Sequence, residues 1–125
     1  YFLGDVLMNR KWAWILEQLN GTKKLIMGNH DKEDASFYLR HFKWCRAYSQ
    51  NIGKLLLSHV PVHPQSLGRW RANVHGHLHY RQVLLEPTHG IQSIDPRYLN
   101  VSVERTEYTP IALEDLELIL KKRGL

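Results

Sequence analysis

The tetrapeptide Gly28-Asn29-His30-Asp31 directly follows the short apolar run Leu25-Ile26-Met27. A short apolar run that stops at such residues is typical of a buried strand that ends in a polar turn. Because α/β proteins place their sites at the ends of parallel strands, this turn is a candidate for chemistry. Three other fragments repeat the pattern of an apolar run followed by metal-binding residue types: Gly4-Asp5, Ser58-His59 and Gly76-His77-Leu78-His79.

Alternating strand and helix patterns are predicted in the first third of the chain. A strand over 1–3 is followed by a helix that Asn9 can cap and that runs to about residue 20, with Trp12 and Leu16 in the core. A second strand over 24–27 completes a strand-helix-strand unit, which predicts a parallel pair. This pairing places Asp5 and Asn29 at the same edge of a sheet.

The remainder of the chain has weaker but readable patterns. We predict a helix over 34–42 capped by Asp34, and a hairpin of strands 44–49 and 54–57 around a turn at 51–53. A non-helical surface loop that begins at Pro61 and Pro64 leads to a strand predicted over 72–75, and a last strand is predicted over 98–103. A terminal helix over 113–122 is expected to face inward with Leu113, Leu116, Ile119 and Leu120.

The 125 residues have the length of one small domain, and we predict a single domain over 1–125. No apolar run approaches the roughly 20 residues that a membrane helix requires, and no signal segment opens the chain. We therefore expect a cytoplasmic protein without a membrane partner. Cys45 is the single cysteine, which excludes an internal disulfide, and we expect it to be a small buried residue.

The formal net charge of +5 is mild, and the basic residues are scattered along the chain. A basic balance favours phosphate-bearing partners only when the charges share a face. The cluster Lys121-Lys122-Arg123 closes a predicted helix, where cations suit the negative end of the dipole. Charge alone therefore leaves nucleic-acid binding open as an alternative.

In their order along the chain, the four polar fragments resemble motifs of the calcineurin-like metallophosphoesterases, and the match spans Leu3 to His79. That family has the motifs Asp-x-His, Gly-Asp, Gly-Asn-His-Asp/Glu, His and Gly-His-x-His. The resemblance implies an α/β sandwich, in which a mixed β-sheet core is flanked by helices and carries a dinuclear metal site at strand ends. The first motif is absent from this chain, which implies that the sandwich lacks its first strand and helix.

The resemblance also implies roles for individual residues. Asp5 stands where the family has the carboxylate that bridges two divalent cations. Asn29, His59 and His77 would complete the shell of the second cation, and His79 would bind the first. His30 would bind no metal but would lie over the substrate phosphate, where it stabilises charge or protonates the leaving oxygen. Mixed nitrogen and oxygen ligands accept manganese, iron, nickel or zinc.

The missing Asp-x-His motif weakens one of the two metal positions. The first cation keeps only Asp5 and His79, whereas the second keeps four ligands. We therefore expect the chain as printed to bind one metal better than two. We also expect the natural protein to carry an upstream segment that supplies a strand, the Asp-x-His pair and a helix.

The residues after Asp5 and at the end of the Gly28–Asp31 tetrad distinguish between substrate classes of the family that the chain resembles. Protein phosphatases of this superfamily continue with Asp-Arg-Gly and end their tetrad in Glu, whereas this chain has Val6 and Asp31 at those points. The chain is more similar to small prokaryotic or phage-type phosphoesterases. The implied function is hydrolysis of a small phosphate ester, with a phosphodiester favoured and a phosphomonoester left open as the substrate. Two alternatives stay open: a non-catalytic phosphate or nucleic-acid binding module with one metal site, and a nuclease with a basic groove.

Each candidate residue also has a purely structural interpretation. Asn29 and Asp31 are common turn residues, and His59 could be a hydrogen-bonded core histidine. The joint occurrence of four fragments in one order favours a site over this interpretation. Among the remaining histidines, His41 and His89 are expected at the surface, His63 could reach a substrate from its loop, and His75 could donate to a carbonyl and orient its neighbours.

Overall fold

Two β-sheets hold the strands of the computed structural model, which describes residues 1–125. The first sheet pairs β1 (Leu25–Ile26) with β2 (Cys45–Arg46) in parallel. Phe2 extends it by a parallel bridge to Leu25, with its N–H donating to the Lys24 carbonyl at 2.8 Å. The predicted parallel pairing of the first two strand segments is confirmed.

The second sheet has four strands in the order β3-β4-β5-β6. Its strands are β3 (Ser49–Ile52), β4 (Leu55–Ser58), β5 (Ala72–His75) and β6 (Tyr98–Asn100). The β3-β4 pair is an antiparallel hairpin, and β4, β5 and β6 run parallel. The fold is therefore mixed α/β, as the sequence predicts.

The helices are short except for the last. They are α1 (Trp14–Gln18), α2 (Ala35–Tyr38), α3 (Pro64–Leu67) and α4 (Leu113–Lys122), with 3₁₀ turns at Arg10–Trp12 and Val103–Arg105. The bounds of α4 agree with the prediction. Acidic residues in its first turn and lysines in its last suit the helix dipole. The longest helix has 10 residues, and no helix combines the length and apolarity that crossing a membrane requires.

All four residues of β4 are buried, because both faces of the second sheet are covered. Leu55 and Leu57 pack with Leu120 of α4 in one core cluster. Leu56 points to the other face and packs with Leu67 of α3. This alternation is the period of two that a strand imposes.

A third cluster lies around the first sheet, where Leu16, Leu25, Phe37, Tyr38 and Phe42 pack together. The next residue of β1, Ile26, belongs instead to the cluster under the second sheet. The short strand β1 thus contributes to both cores. This double burial fixes the position of the polar turn that follows it.

Several local predictions are wrong. The helix predicted over 9–20 is a 3₁₀ turn and a short helix, and Trp12 is 47% exposed because it precedes α1 instead of lying within it. The cap is confirmed, since the Asn9 side chain accepts from the Lys11 N–H at 3.0 Å. The helix predicted over 34–42 ends at Tyr38, and Asp34 makes no capping hydrogen bond.

The predicted hairpin has its turn in the wrong place. Gly53 has φ +54°, which allows a tight turn at Gly53-Lys54, so that residues 49–52 become the outer strand. The loop predicted as non-helical contains α3, because Pro64 occupies its first turn, where a missing N–H costs nothing. Cys45 is only partly buried.

Two predictions of side-chain exposure are also wrong, one in each direction. Leu113 is 41% exposed because it lies at the first residue of α4, one turn before the buried Leu116. The side chain of His41 is only 9% exposed and packs edge-on against the Phe37 ring, so it is not a surface histidine. His89 is exposed as predicted.

Candidate metal centre

Loops at the ends of three strands and of the Phe2 segment converge on one place. The ligand atoms of Asp5, His59 and His77 all lie within 4.8 Å of one another. Asn29 joins them, with Oδ1 2.9 Å from His59 Nε2. The structure thus brings together four of the five predicted metal ligands.

His59 lies at the centre of this group and is 5% exposed. Its Nε2 is 3.2 Å from His77 Nδ1 and 3.3 Å from Asp5 Oδ2. Its Nδ1 is 2.6 Å from the Leu3 carbonyl, which can only accept, so Nδ1 carries the proton. In neutral His59 the Nε2 lone pair therefore faces the oxygens of Asp5 and Asn29. Ligand atoms that converge in this way can hold a cation.

Asp5 is held by its backbone in an uncommon conformation. Gly4 has φ 90° and Asp5 has φ 55°, so the turn passes through the left-handed region at two successive residues. The Asp5 Oδ1 accepts from the His30 N–H at 2.8 Å. The other oxygen, Oδ2, faces His59.

The carboxylate of Asp31 holds the Gly4-Asp5 turn in place by accepting hydrogen bonds from backbone N–H groups. Its oxygens accept from the N–H groups of Asp5 at 2.8 Å, Val6 at 2.9 Å and Gly28 at 2.8 Å. Asp31 is 7% exposed and contacts the ligand group through the backbone N–H of Asp5. Sequence reasoning identified Asp31 only as a turn residue and missed its positioning role.

Close backbone approach explains two glycines at the site. A Cβ on Gly4 would lie 2.6 Å from Gly28 Cα, and a Cβ on Gly28 would lie 2.5 Å from Asp5 N. Both separations are below any real Cβ contact. The two loops can therefore meet only through glycine at both positions.

Backbone strain is concentrated in the candidate ligands. Asp5, His77 and His79 account for three of the six non-glycine residues with positive φ, at 55°, 62° and 52°. Such conformations cost on the order of 1 kcal/mol or more each and persist where the surroundings impose them, most often at functional sites.

Desolvation disfavours the charged form of two histidines at or beside this centre. Desolvation, reinforced by the neighbouring His59, lowers the pKa of His77 below its ordinary value. Desolvation also lowers the pKa of His75, which is fully buried. Neutral imidazole is the form that binds metal ions.

His75 does not face the cluster directly but supports the turn that carries His77. Its Nδ1 donates to the Gly76 carbonyl at 2.8 Å, and its ring packs edge-on against Tyr98. The predicted donation to a carbonyl is confirmed. Its Nε2 is buried without a hydrogen-bond partner.

His79, the fifth predicted ligand, lies outside the group. Its side chain is 72% exposed, and Nδ1 lies 2.5 Å from Glu104 Oε1 in the second 3₁₀ turn. That hydrogen bond lowers the pKa of Glu104. Asn100 steadies the same loop by donating to the His79 carbonyl at 2.9 Å. No sequence signal connected Glu104 to His79, because 25 residues separate them.

The two remaining candidates lie away from the ligand group. The His30 side chain is exposed and lines a neighbouring cavity. His63 caps α3, with Nδ1 accepting from the Gln65 N–H at 3.3 Å. The capping bond explains His63 without a substrate.

Comparison with known proteins gives relatives of unassigned function. No family model matches the sequence. The chain is 32% identical over 128 residues to the uncharacterized protein MJ1445 of Methanocaldococcus jannaschii, and the match covers 98% of this chain but 65% of that relative. The crystal structure of a protein of unknown function from Aquifex aeolicus, AQ665, superposes with a TM-score of 0.65 at 24% identity, over 94% of this chain and 73% of that one. The second likeness is one of fold.

Proposed function

We propose that this chain forms a metal-dependent phosphoesterase with the α/β sandwich of the calcineurin-like metallophosphoesterases. The observation that carries the proposal is the convergence of Asp5, Asn29, His59 and His77 from four separate segments. Each of these residues ends an apolar segment, in the order in which that family's motifs occur. The substrate would be a small phosphate ester, a phosphodiester in preference to a monoester.

The donor set suits a divalent cation. One carboxylate, one amide oxygen and two neutral imidazoles are ligands that manganese, iron, nickel and zinc all accept. Bound divalent cations would supply an activated water and positive charge opposite the phosphate. A second cation would find Asp5 and His79 in this chain, and Glu104 would orient the His79 ring as carboxylates commonly do for ligand histidines.

His30 is the residue that we assign to proton transfer. Its backbone N–H bonds to Asp5 Oδ1, which fixes the loop beside the ligand group while the imidazole remains exposed. In hydrolysis the oxygen of water bonds to phosphorus, and the bond from phosphorus to the leaving oxygen breaks. The His30 imidazolium then gives its proton to that leaving oxygen.

The test is hydrolysis of bis(4-nitrophenyl) phosphate by the protein with added manganese. We expect turnover that a chelator abolishes and that Asp5→Asn lowers by on the order of 100-fold. Asp115→Asn, which removes an exposed carboxylate from α4, is the matched control and should leave the rate unchanged. Turnover that survives both the chelator and Asp5→Asn would refute the proposal.

A binding module with one metal site is the second candidate. The position of His79, exposed and paired with Glu104 instead of joining the group, favours it. Titration calorimetry distinguishes the two functions. One manganese bound per chain without turnover of diester or monoester would support the module, and strong, salt-sensitive binding of single-stranded nucleic acid would point to a nucleic-acid partner.

A further inference from the structure

Two cavities adjoin the candidate metal centre. The first, which we name the basic cavity, has a volume of about 350 Å³ and is lined by Asn9, Arg10, His30, Lys32 and Glu33 among others. The second, the apolar cavity, has a volume of about 420 Å³ and is lined by Met27, Asn29, Ala47, Tyr48, His59 and Val60. Asn29 lines the apolar cavity, and its neighbour His30 lines the basic cavity. Both volumes fall within the range of small-molecule sites.

The side chains that line the basic cavity carry a net positive charge. Arg10 pairs with Glu33 at 3.5 Å, and its guanidinium lies over the Phe37 ring, 5.3 Å from the ring centroid. Lys32 adds a second cation, and Glu33 is the only carboxylate in the lining. The lining is therefore net positive before His30 is counted. A negatively charged group on a substrate would be attracted here.

The apolar cavity is lined by an exposed aromatic ring, that of Tyr48, instead of by cationic side chains. Tyr48 is 68% exposed and Val60 is 49% exposed, although both lie beside the buried His59. No cationic side chain lines this cavity. An exposed aromatic ring next to a phosphate-binding centre suits stacking with a planar group of the ligand.

We propose that the substrate is a phosphodiester of two unlike alcohols, one bearing a planar ring and the other bearing a second anionic group. This inference rests on the function proposed above. The ring lies in the apolar cavity beside Tyr48, and the anionic group lies in the basic cavity with Arg10 and Lys32. Two different cavities at one centre fit two different ester arms, which a monoester does not have.

The position of His30 sets which ester bond breaks. Because His30 lines the basic cavity, it reaches the oxygen of the anionic alcohol. Water bonds to phosphorus and loses one proton to the solvent, while the bond from phosphorus to the oxygen of the anionic alcohol breaks. His30 gives its proton to that departing oxygen and regains one from the solvent. The ring-bearing alcohol keeps the phosphate as a monoester.

A dithymidylate that carries a 3′-terminal phosphate tests this regiochemistry with the manganese-loaded protein. We expect thymidine 3′-phosphate as the sole product, two molecules from each dinucleotide, identified by mass spectrometry. Thymidine together with thymidine 3′,5′-bisphosphate would mean cleavage of the other ester bond and would overturn the assignment.

Substrate preference tests the two cavities separately. We expect kcat/KM to be about tenfold higher with the terminal phosphate than without it, and Lys32→Gln to abolish that preference by raising KM. Lys121→Gln removes an equal charge from α4 and should retain the preference. Tyr48→Ala should raise KM about tenfold for both dinucleotides, whereas Tyr108→Ala, at another exposed tyrosine, should not.

Binding is measured apart from turnover by amide chemical-shift mapping of the zinc-loaded protein. The probe is the same dinucleotide with a methylene group in place of the scissile oxygen. Shifts at Arg10 and Lys32 together with Tyr48 and Val60 would support the inference, and shifts confined to one cavity would overturn it. Cleavage of both dinucleotides without preference would refute only this inference. Failure to cleave any diester would refute the proposed function as well.

Discussion

The backbone N–H of Asp5 donates to Oδ2 of Asp31 at 2.8 Å, across 26 residues of sequence. The same carboxylate accepts from Val6 and from Gly28, so one side chain joins the Gly4-Asp5 turn to the turn after β1. Asp5 can face His59 only while these two turns stay together. The geometry of the candidate metal centre therefore depends on a residue outside its ligand group.

Replacing Asp31 with Asn should destabilise the protein and the centre together. The amide nitrogen would face an N–H donor and could not accept its hydrogen bond. Charge-assisted bonds at a buried position are worth more than neutral ones, so we expect a loss of about 3 kcal/mol in the free energy of unfolding. Urea denaturation measures it. Asp34→Asn is the control, because Asp34 makes no capping hydrogen bond, and a similar loss there would contradict the explanation.

Gly28→Ala tests the close approach of the two turns. The added Cβ would lie 2.5 Å from Asp5 N, so one turn must move, and we expect a cost of about 2 kcal/mol with weaker manganese binding. Thermal denaturation and titration calorimetry measure the two effects. Gly76→Ala is the control within the same centre, since its Cβ would meet the Leu3 carbonyl at 3.4 Å, an ordinary contact. Equal effects of the two substitutions would refute the steric argument.

The sequence predicts the parts of this centre that depend on local pattern. Apolar runs followed by Asp5, Asn29, His59 and His77 identify strand ends. Parallel pairing then places Asp5 and Asn29 at one end of the first sheet, and His59 and His77 at one end of the second. The ends of α4 are predictable for the same reason, since its apolar spacing and charged turns are local features.

The remainder depends on contacts between residues that are distant in sequence. Asp31 accepts a hydrogen bond from the backbone N–H of Asp5. Every residue except proline has such an N–H, so the sequence does not reveal this contact. Glu104 reaches His79 only because β5 and β6 are neighbours. Trp12 has the spacing of a core residue, yet it lies in a 3₁₀ turn instead of the α-helix, and its ring remains exposed.

Asp95, which lies away from the candidate metal centre, should make the free energy of unfolding depend on pH. Hydrogen bonds from Arg97, with Nη2 at 2.7 Å and Nε at 3.0 Å, hold the pKa of the Asp95 carboxyl below its ordinary value. A lowered folded-state pKa stabilises the protein fully above the unfolded value of about 3.9, and this stabilisation is lost as the pH falls through the folded pKa.

Asp95→Asn should therefore lower the free energy of unfolding by about 2 kcal/mol at pH 7 and by clearly less at pH 3. Urea denaturation at the two pH values measures the difference. Glu86→Gln, at an exposed position, should change stability by less than about 0.5 kcal/mol at either pH. A loss for Asp95→Asn that is the same at both pH values would show that its charge is not the cause.

His30→Ala should separate metal binding from proton transfer. The His30 backbone N–H supports Asp5, but the imidazole lines the basic cavity, so the substitution removes the ring and keeps the support. We expect manganese content by elemental analysis to be unchanged and kcat for bis(4-nitrophenyl) phosphate to fall by on the order of 100-fold. His89→Ala, at an exposed turn, is the control for loss of an imidazole. A protein that loses its manganese with His30→Ala would show that His30 is a ligand, because the backbone bond to Asp5 is still available in that variant.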